Sequence, residues 1–242
     1  MYRFCYAFLI AGVLWSALWG QDKQFTDDWM RGANSPGSIL SLKETGRSAF
    51  QGRTVVSYRL FASGLPKGQH FTLWTWILGS EPKATADAFI NADGLVVNRL
   101  GDATHKEDPI DLRTFAGRGE PKRFALTSDD WNLQAFGEAV PFPIEQTSNG
   151  CKLSVETSAP DYSAVVLRGS GFQPNEALTI DLASGSEGGK QQATATAEGK
   201  YTAAIFPTVK GQKLGKASAT ITSSKCSVAV QFPWGEGSYK IQ

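Results

Sequence analysis

Along most of the chain, apolar and polar residues alternate in short runs, and glycine, proline, serine, asparagine and aspartate separate one run from the next. Alternation with a period of two marks a strand with one buried face, and no stretch carries the apolar stripe of an amphipathic helix. The C-terminal part is the most legible. It predicts strands over 152–156, 163–168, 177–182, 192–196, 200–205, 217–222 and 227–232. Short strands at this spacing, within about a hundred residues, are the arithmetic of an antiparallel β-sandwich. Asp93-Gly94 and Glu198-Gly199 suit tight turns, because glycine accepts the positive φ such turns require.

Laid on itself at a shift of 107 residues, the chain brings Ala62-Ser63-Gly64-Leu65 opposite Gly169-Ser170-Gly171-Phe172, and Phe71-Thr72-Leu73 opposite Leu178-Thr179-Ile180. At nearby shifts Asn91-Ala92-Asp93-Gly94 meets Thr196-Ala197-Glu198-Gly199, and 123–127 meets 217–222. These matches predict a tandem repeat of one domain plan. Pro141, Pro143 and Thr147-Ser148-Asn149-Gly150 break the pattern, so a short linker is expected over 146–150. The expected units are residues 25–146, with a long charged insertion over 97–123, and residues 147–242.

Gly169-Ser170-Gly171-Phe172-Gln173-Pro174-Asn175-Glu176, followed by alternating Leu178, Ile180 and Leu182, resembles a phrase found in bacterial extracellular immunoglobulin-like domains. The first copy matches more loosely, with Leu65 in place of Phe and the proline moved to Pro66. The resemblance implies an all-β fold of two tandem immunoglobulin-like antiparallel sandwiches, with the phrase crossing from one sheet to the other. It also implies a structural or adhesive role and brings no catalytic residues.

The N-terminus places Arg3 ahead of an uncharged apolar run from Phe4 to Trp19, followed by Gln21, Asp22 and Lys23. This is the form of a secretory signal peptide, expected over 1–20, and the run is shorter than the roughly 20 residues of a membrane-spanning helix. Retention as an N-terminal anchor is the alternative. Beyond that segment two of the three cysteines remain, Cys151 and Cys226. Outside the cytosol such a pair predicts a disulfide. It is expected to staple the domain's edges near its two chain ends, and closing so long a loop is worth about 3 to 5 kcal/mol on the chain-entropy model. Secretion, or a periplasmic or cell-envelope location, follows.

Charge narrows the function. Lys and Arg number 24 against 23 Asp and Glu, a net charge of +1, and no basic footprint for nucleic acid is present. Trp74 and Trp76 share one face of the run Phe71–Leu78, the face that is polar or small in the other copy. They are candidate binding residues, with Trp131 assisting, either as a stacking surface for sugar or as a protein-binding patch; the competing expectation is that the insertion or the neighbouring domain covers them. Asp102, Glu107, Asp108 and Asp111 in the insertion lack a calcium-loop spacing, and no metal or cofactor is expected. His70 and His105 read as surface histidines, since no Gly-x-Ser-x-Gly elbow accompanies them. The acid pairs Asp27-Asp28 and Asp129-Asp130 place neighbours on opposite faces of a strand, which disfavours a two-carboxylate hydrolase.

The expected function is therefore non-enzymatic: an exported protein of surface recognition, adhesion or envelope structure, whose partner is a protein or glycan at the cell surface. A carbohydrate-binding module using exposed Trp74 and Trp76 is the alternative. Membrane contact is expected only if the N-terminal segment is retained. An exposed sheet edge offers a further route to a partner, by strand addition.

Overall fold

A computed structural model describes residues 34–99 and 107–237, and every regular element among them is a β-strand. The strands are β1 (Ile39–Phe50), β2 (Arg53–Ser63), β3 (His70–Ile77), β4 (Lys83–Ile90), β5 (Val96–Arg99), β6 (Glu107–Pro109), β7 (Asp111–Thr114), β8 (Lys122–Thr127) and β9 (Gln134–Ala139). They are followed by β10 (Ile144–Ser148), β11 (Cys151–Thr157), β12 (Val165–Ser170), β13 (Ala177–Ser184), β14 (Glu187–Thr194), β15 (Lys200–Ile205), β16 (Leu214–Thr222) and β17 (Ser227–Gly235). All their pairings are antiparallel.

Two sandwich-like pairs of sheets result. In the first, a six-stranded sheet in the order β6-β5-β4-β3-β8-β9 faces a three-stranded sheet, β1-β2-β7. Leu40, Leu60, Phe71, Leu73, Ile90 and Leu126 are buried between them. In the second, β10-β11-β12-β15 faces β14-β13-β16-β17 around Leu153, Leu167, Leu178, Ile180, Ile221 and Trp234. Alternation is the reason: Phe71 and Leu73 point into one core, Leu178 and Ile180 into the other, while the residues between them point away.

One sheet of each pair shares a four-strand order. β4-β3-β8-β9 in the first runs in the same order as β14-β13-β16-β17 in the second, and β3 and β13 both span eight residues. Thr72 lies opposite Thr127 as Thr179 lies opposite Thr222. Two close approaches recur at glycine. A Cβ on Gly64 would stand 2.1 Å from the carbonyl oxygen of Gly37, and one on Gly171 would stand 2.2 Å from that of Gly150. Both glycines also have positive φ, so a side chain is excluded twice over.

The likeness ends over 107–114. Glu107–Pro109 pairs with β5, and after Ile110 the chain crosses to the opposite sheet, where Asp111–Thr114 pairs with β2. In the second pair the neighbour of β12 is instead β15. The part of the insertion over 100–106, which includes Asp102 and His105, lies outside the described residues.

Three readings of the sequence need correction. The stretch 146–150 is no linker: Ile144–Ser148 is a strand, and Asn149-Gly150 is a two-residue hairpin turn to Cys151, both residues having positive φ. The polar Thr-Ser-Asn-Gly reads as a spacer only until the pairing of Ile144 with Val155 is seen. The strand expected over 192–196 runs instead from Glu187 to Thr194, because its glycines and polar residues lie on an exposed edge where alternation carries no information. The disulfide between Cys151 and Cys226 is present, with the Cα atoms 6.3 Å apart, but only its Cys226 end, before the edge strand β17, lies at an edge. β10 covers β11 on its outer side, so the bridge ties an inner strand of one sheet to the turn before β17 in the other, and both cysteines are buried.

The sheet pairs are tied to each other where the chain passes between them. Gly119 donates its N–H to the Phe142 carbonyl at 2.8 Å and accepts the N–H of Thr157 at 2.8 Å. Arg47, at the far end of the β1–β2 hairpin, donates to the Pro141 carbonyl at 3.0 Å and lies over the Phe142 ring.

Candidate recognition face

β3 runs through the middle of the six-stranded sheet. Its core-facing residues being Phe71 and Leu73, alternation sends His70, Thr72, Trp74 and Trp76 to the outer face. β8 places Thr127 opposite Thr72, Ala125 opposite Trp74 and Arg123 opposite Trp76. β9 adds Phe136, opposite Ala125. A bulge in β4 between Ala86 and Ala84 shifts its register against Leu73 and Trp74 and brings Thr85 Oγ1 to 2.8 Å from Thr75 Oγ1.

The result is a second, smaller apolar cluster outside the main core. Trp76 and Ala125 are its buried members, and Trp74, Trp131 and Phe136 pack half-buried against them. Trp74 and Trp131 lie with ring centroids 5.5 Å apart, and Phe136 meets Trp76 edge-on at 6.3 Å. Both geometries are favoured by the quadrupoles of aromatic rings. The Trp74 indole N–H donates to Thr127 Oγ1 at 2.8 Å. The structure thus brings all three sequence-predicted tryptophans together. It also corrects one expectation: Trp76 is only 5% exposed, so Trp74 and Trp76 are not a pair of open stacking rings. Half-buried Trp74, Trp131 and Phe136 form the outer part of the patch.

Trp131 owes its position to the β8–β9 loop. The Asp130 carboxylate accepts hydrogen bonds from Ser128 Oγ at 2.6 Å, from the Asn132 N–H at 3.1 Å and from Asn132 Nδ2 at 2.7 Å. The Ser128 hydroxyl oxygen in turn accepts the Leu133 N–H. These bonds hold Trp131 in a left-handed backbone conformation, with φ of 60°. The hydrogen bond from Ser128, then that from the Asn132 backbone, keeps Asp130 below the usual carboxylate range. Asp130 is therefore a loop organiser.

Asp129 does something different. His70 Nδ1 lies 2.8 Å from Asp129 Oδ1, and His70 Nε2 lies 3.1 Å from Asp87 Oδ1 on β4. The ring also meets Phe89 edge-on at 5.4 Å. Desolvation pulls the His70 pKa down, but the hydrogen bonds to Asp129 and Asp87 and their charges outweigh it, and the net shift is upward. With a carboxylate at each ring nitrogen, His70 is an electrostatic clamp that joins β3 to β4 and to the Trp131 loop.

Sequence reasoning missed the clamp and Phe136, although the signals exist. Continuing the Thr72–Thr127 register by two residues sets His70 across from Asp129, and Asp87 lies opposite Thr72. Both inferences need the pairing of β3 with β4 and β8, which alternation alone does not supply. Among the described residues no group of three or more His, Cys, Asp or Glu side chains is arranged to hold a metal ion, and Asp111 is paired with Arg59 at 2.9 Å. Asp27, Asp28 and Trp29 lie outside the described residues.

No protein-family model and no curated protein matches the chain. Among solved structures it is similar to red sea bream transglutaminase, at a TM-score of 0.24 and 11% sequence identity, over 84% of this chain and 32% of that one. The chain spans about a third of that protein's length, and at this TM-score the likeness carries no argument.

Proposed function

We propose that the chain is an exported, non-catalytic recognition protein built of two tandem immunoglobulin-like sandwiches, and that it engages a protein or glycan at the cell surface through the outer face of its six-stranded sheet. The tandem reading is supported by the shared strand order β4-β3-β8-β9 and β14-β13-β16-β17, by the matching Thr–Thr pairs, and by the two glycine contacts. Export is supported by the Cys151–Cys226 bridge, which is compatible with an oxidising compartment, together with the N-terminal apolar run.

One observation carries the recognition reading. At the shift that superposes the two copies, the outer face of β13 presents Thr179, Asp181 and Ala183, whereas that of β3 presents Thr72, Trp74 and Trp76. A fold that needs no aromatics there in one copy has gathered three tryptophans, Phe136 and the His70 clamp there in the other. Aromatic rings on a semi-rigid platform, bordered by hydrogen-bonding groups, are what recognition surfaces concentrate. Burial of Trp76 favours contact through Trp74, Trp131 and Phe136 over flat stacking of a sugar on a Trp74–Trp76 pair.

The test uses the symmetry of the design. The intact chain is assayed on glycan arrays and on purified cell-envelope fractions beside Thr72→Arg, which sets a long cation in the middle of the face, and Thr179→Arg at the matching position of the second copy. Binding abolished by Thr72→Arg and retained by Thr179→Arg is the expected result. The reverse pattern, or a wild-type chain that binds neither glycan nor envelope, removes the assignment.

A further inference from the structure

The mouth of the first sheet pair holds a cleft of about 340 Å³. It opens between β7 and the ends of β3, β4 and β8, and apolar side chains line it: Leu112, buried Phe124, and Ile77, which is left 48% exposed. Four cations also line it, Lys83, Arg113, Lys122 and Arg123, against a single acid, Glu81.

Their surroundings differ in a way that fixes the charge of the space. Lys122 is buried, its side chain 6% exposed, and it donates to Glu120 Oε1 at 2.6 Å. Arg123 is answered by Glu138 at 2.9 Å through Nε. Both acids stand outside the lining. Lys83 and Arg113 enter no ion pair among the described residues. Four cations thus meet three carboxylates, Glu81, Glu120 and Glu138, and one positive charge is unbalanced beside an apolar floor. This concentration is local, because the whole chain carries a net charge of only +1.

A cleft of this size, apolar below with a few convergent polar groups at its rim, has the form of a small-molecule site. We infer that it binds a small amphiphilic monoanion, a carboxylate with a compact apolar body. The body rests on Leu112, Phe124 and Ile77, and the charged head is held by Arg113 and Lys83, with Thr75 and Thr114 in the same lining. The guanidinium of Arg113 matches a carboxylate in geometry as well as in charge. Trp76 and Arg123 of the outer-face strands also line the cleft, whereas Thr72, Trp74 and Trp131 take no part.

Benzoate is the probe, titrated into the full chain while backbone amide shifts and thermal stability are followed, with uncharged benzamide as the isosteric comparison. Saturable shifts centred on Ile77, Leu112, Arg113 and Thr114 are expected, with benzamide binding at least tenfold more weakly. Arg113→Gln and Lys83→Gln are each expected to weaken benzoate severalfold, and added salt to weaken it further, since both cations are exposed to screening. Equal binding of benzamide, shifts that never saturate at tens of millimolar, or benzoate affinity unchanged in both variants overturns the site. Should Arg113→Gln fail to fold, exposed Lys83 still decides the question.

Discussion

At the scale of single residues, His70 is the most exacting test of the geometry. A neutral imidazole has one N–H, so it satisfies one of the two carboxylates at 2.8 and 3.1 Å and turns a lone pair toward the other, whereas an imidazolium satisfies both. The folded pKa is accordingly raised above the value of about 6.5 that an unfolded chain has. A raised pKa stabilises the fold fully below the unfolded value, and this contribution disappears as pH climbs through the folded one. Thermal stability measured from pH 5 to 9 should therefore show a downward step above about pH 6.5. His70→Gln should remove that step and His105→Gln should keep it. The clamp spans β3, β4 and the Trp131 loop, so tryptophan emission should change over the same interval. A step that survives in His70→Gln would assign the titration elsewhere.

At the scale of elements, the instructive case is β10. Alternation needs several residues to declare itself, and Ile144–Ser148 offers a single buried apolar position, Ile144, followed by polar residues, three exposed and Ser148 half-buried. What identifies the strand is the Asn149-Gly150 turn, whose two positive-φ residues reverse the chain and commit Ile144 to lie beside Val155. Ile144 belongs to the second core. Ile144→Ala is expected to cost about 2 to 5 kcal/mol, as large-to-small changes in a core do, and denaturant unfolding measures it. A change near zero would return this segment to the status of a spacer. The β8–β9 loop teaches the complementary point. Its conformation is written locally, in Ser128, Asp130 and Asn132, but its purpose, setting Trp131 against Trp74, belongs to strands distant in sequence.

At the scale of the whole molecule, two cores with different supports predict unequal responses. The disulfide closes a segment of sequence separation 75 and lies wholly within the second sheet pair. Replacing both Cys151 and Cys226 by alanine should cost about 2 to 5 kcal/mol, and hydrogen exchange should locate the loss: amides of β11 and β17 lose protection while those of β3 and β8 keep theirs. Equal loss in both pairs would mean that the ties through Gly119 and Arg47 make one cooperative unit of them.

Alternation and turn residues by themselves determined the all-β class, most strands of the second sheet pair, the cysteine pair, and the fact that Trp74 and Trp76 share one face. Each is a local property, set by a period of two, by φ at glycine or by the chemistry of two residues. Only the tertiary structure decided that Trp76 is buried and Trp74 half-buried, that His70 stands between Asp87 and Asp129, that β10 shields β11, and that four cations surround one cleft. These depend on which strands lie side by side and in what register. Register is set by the burial of whole faces at once, a sum over many distant residues that no short stretch of sequence contains.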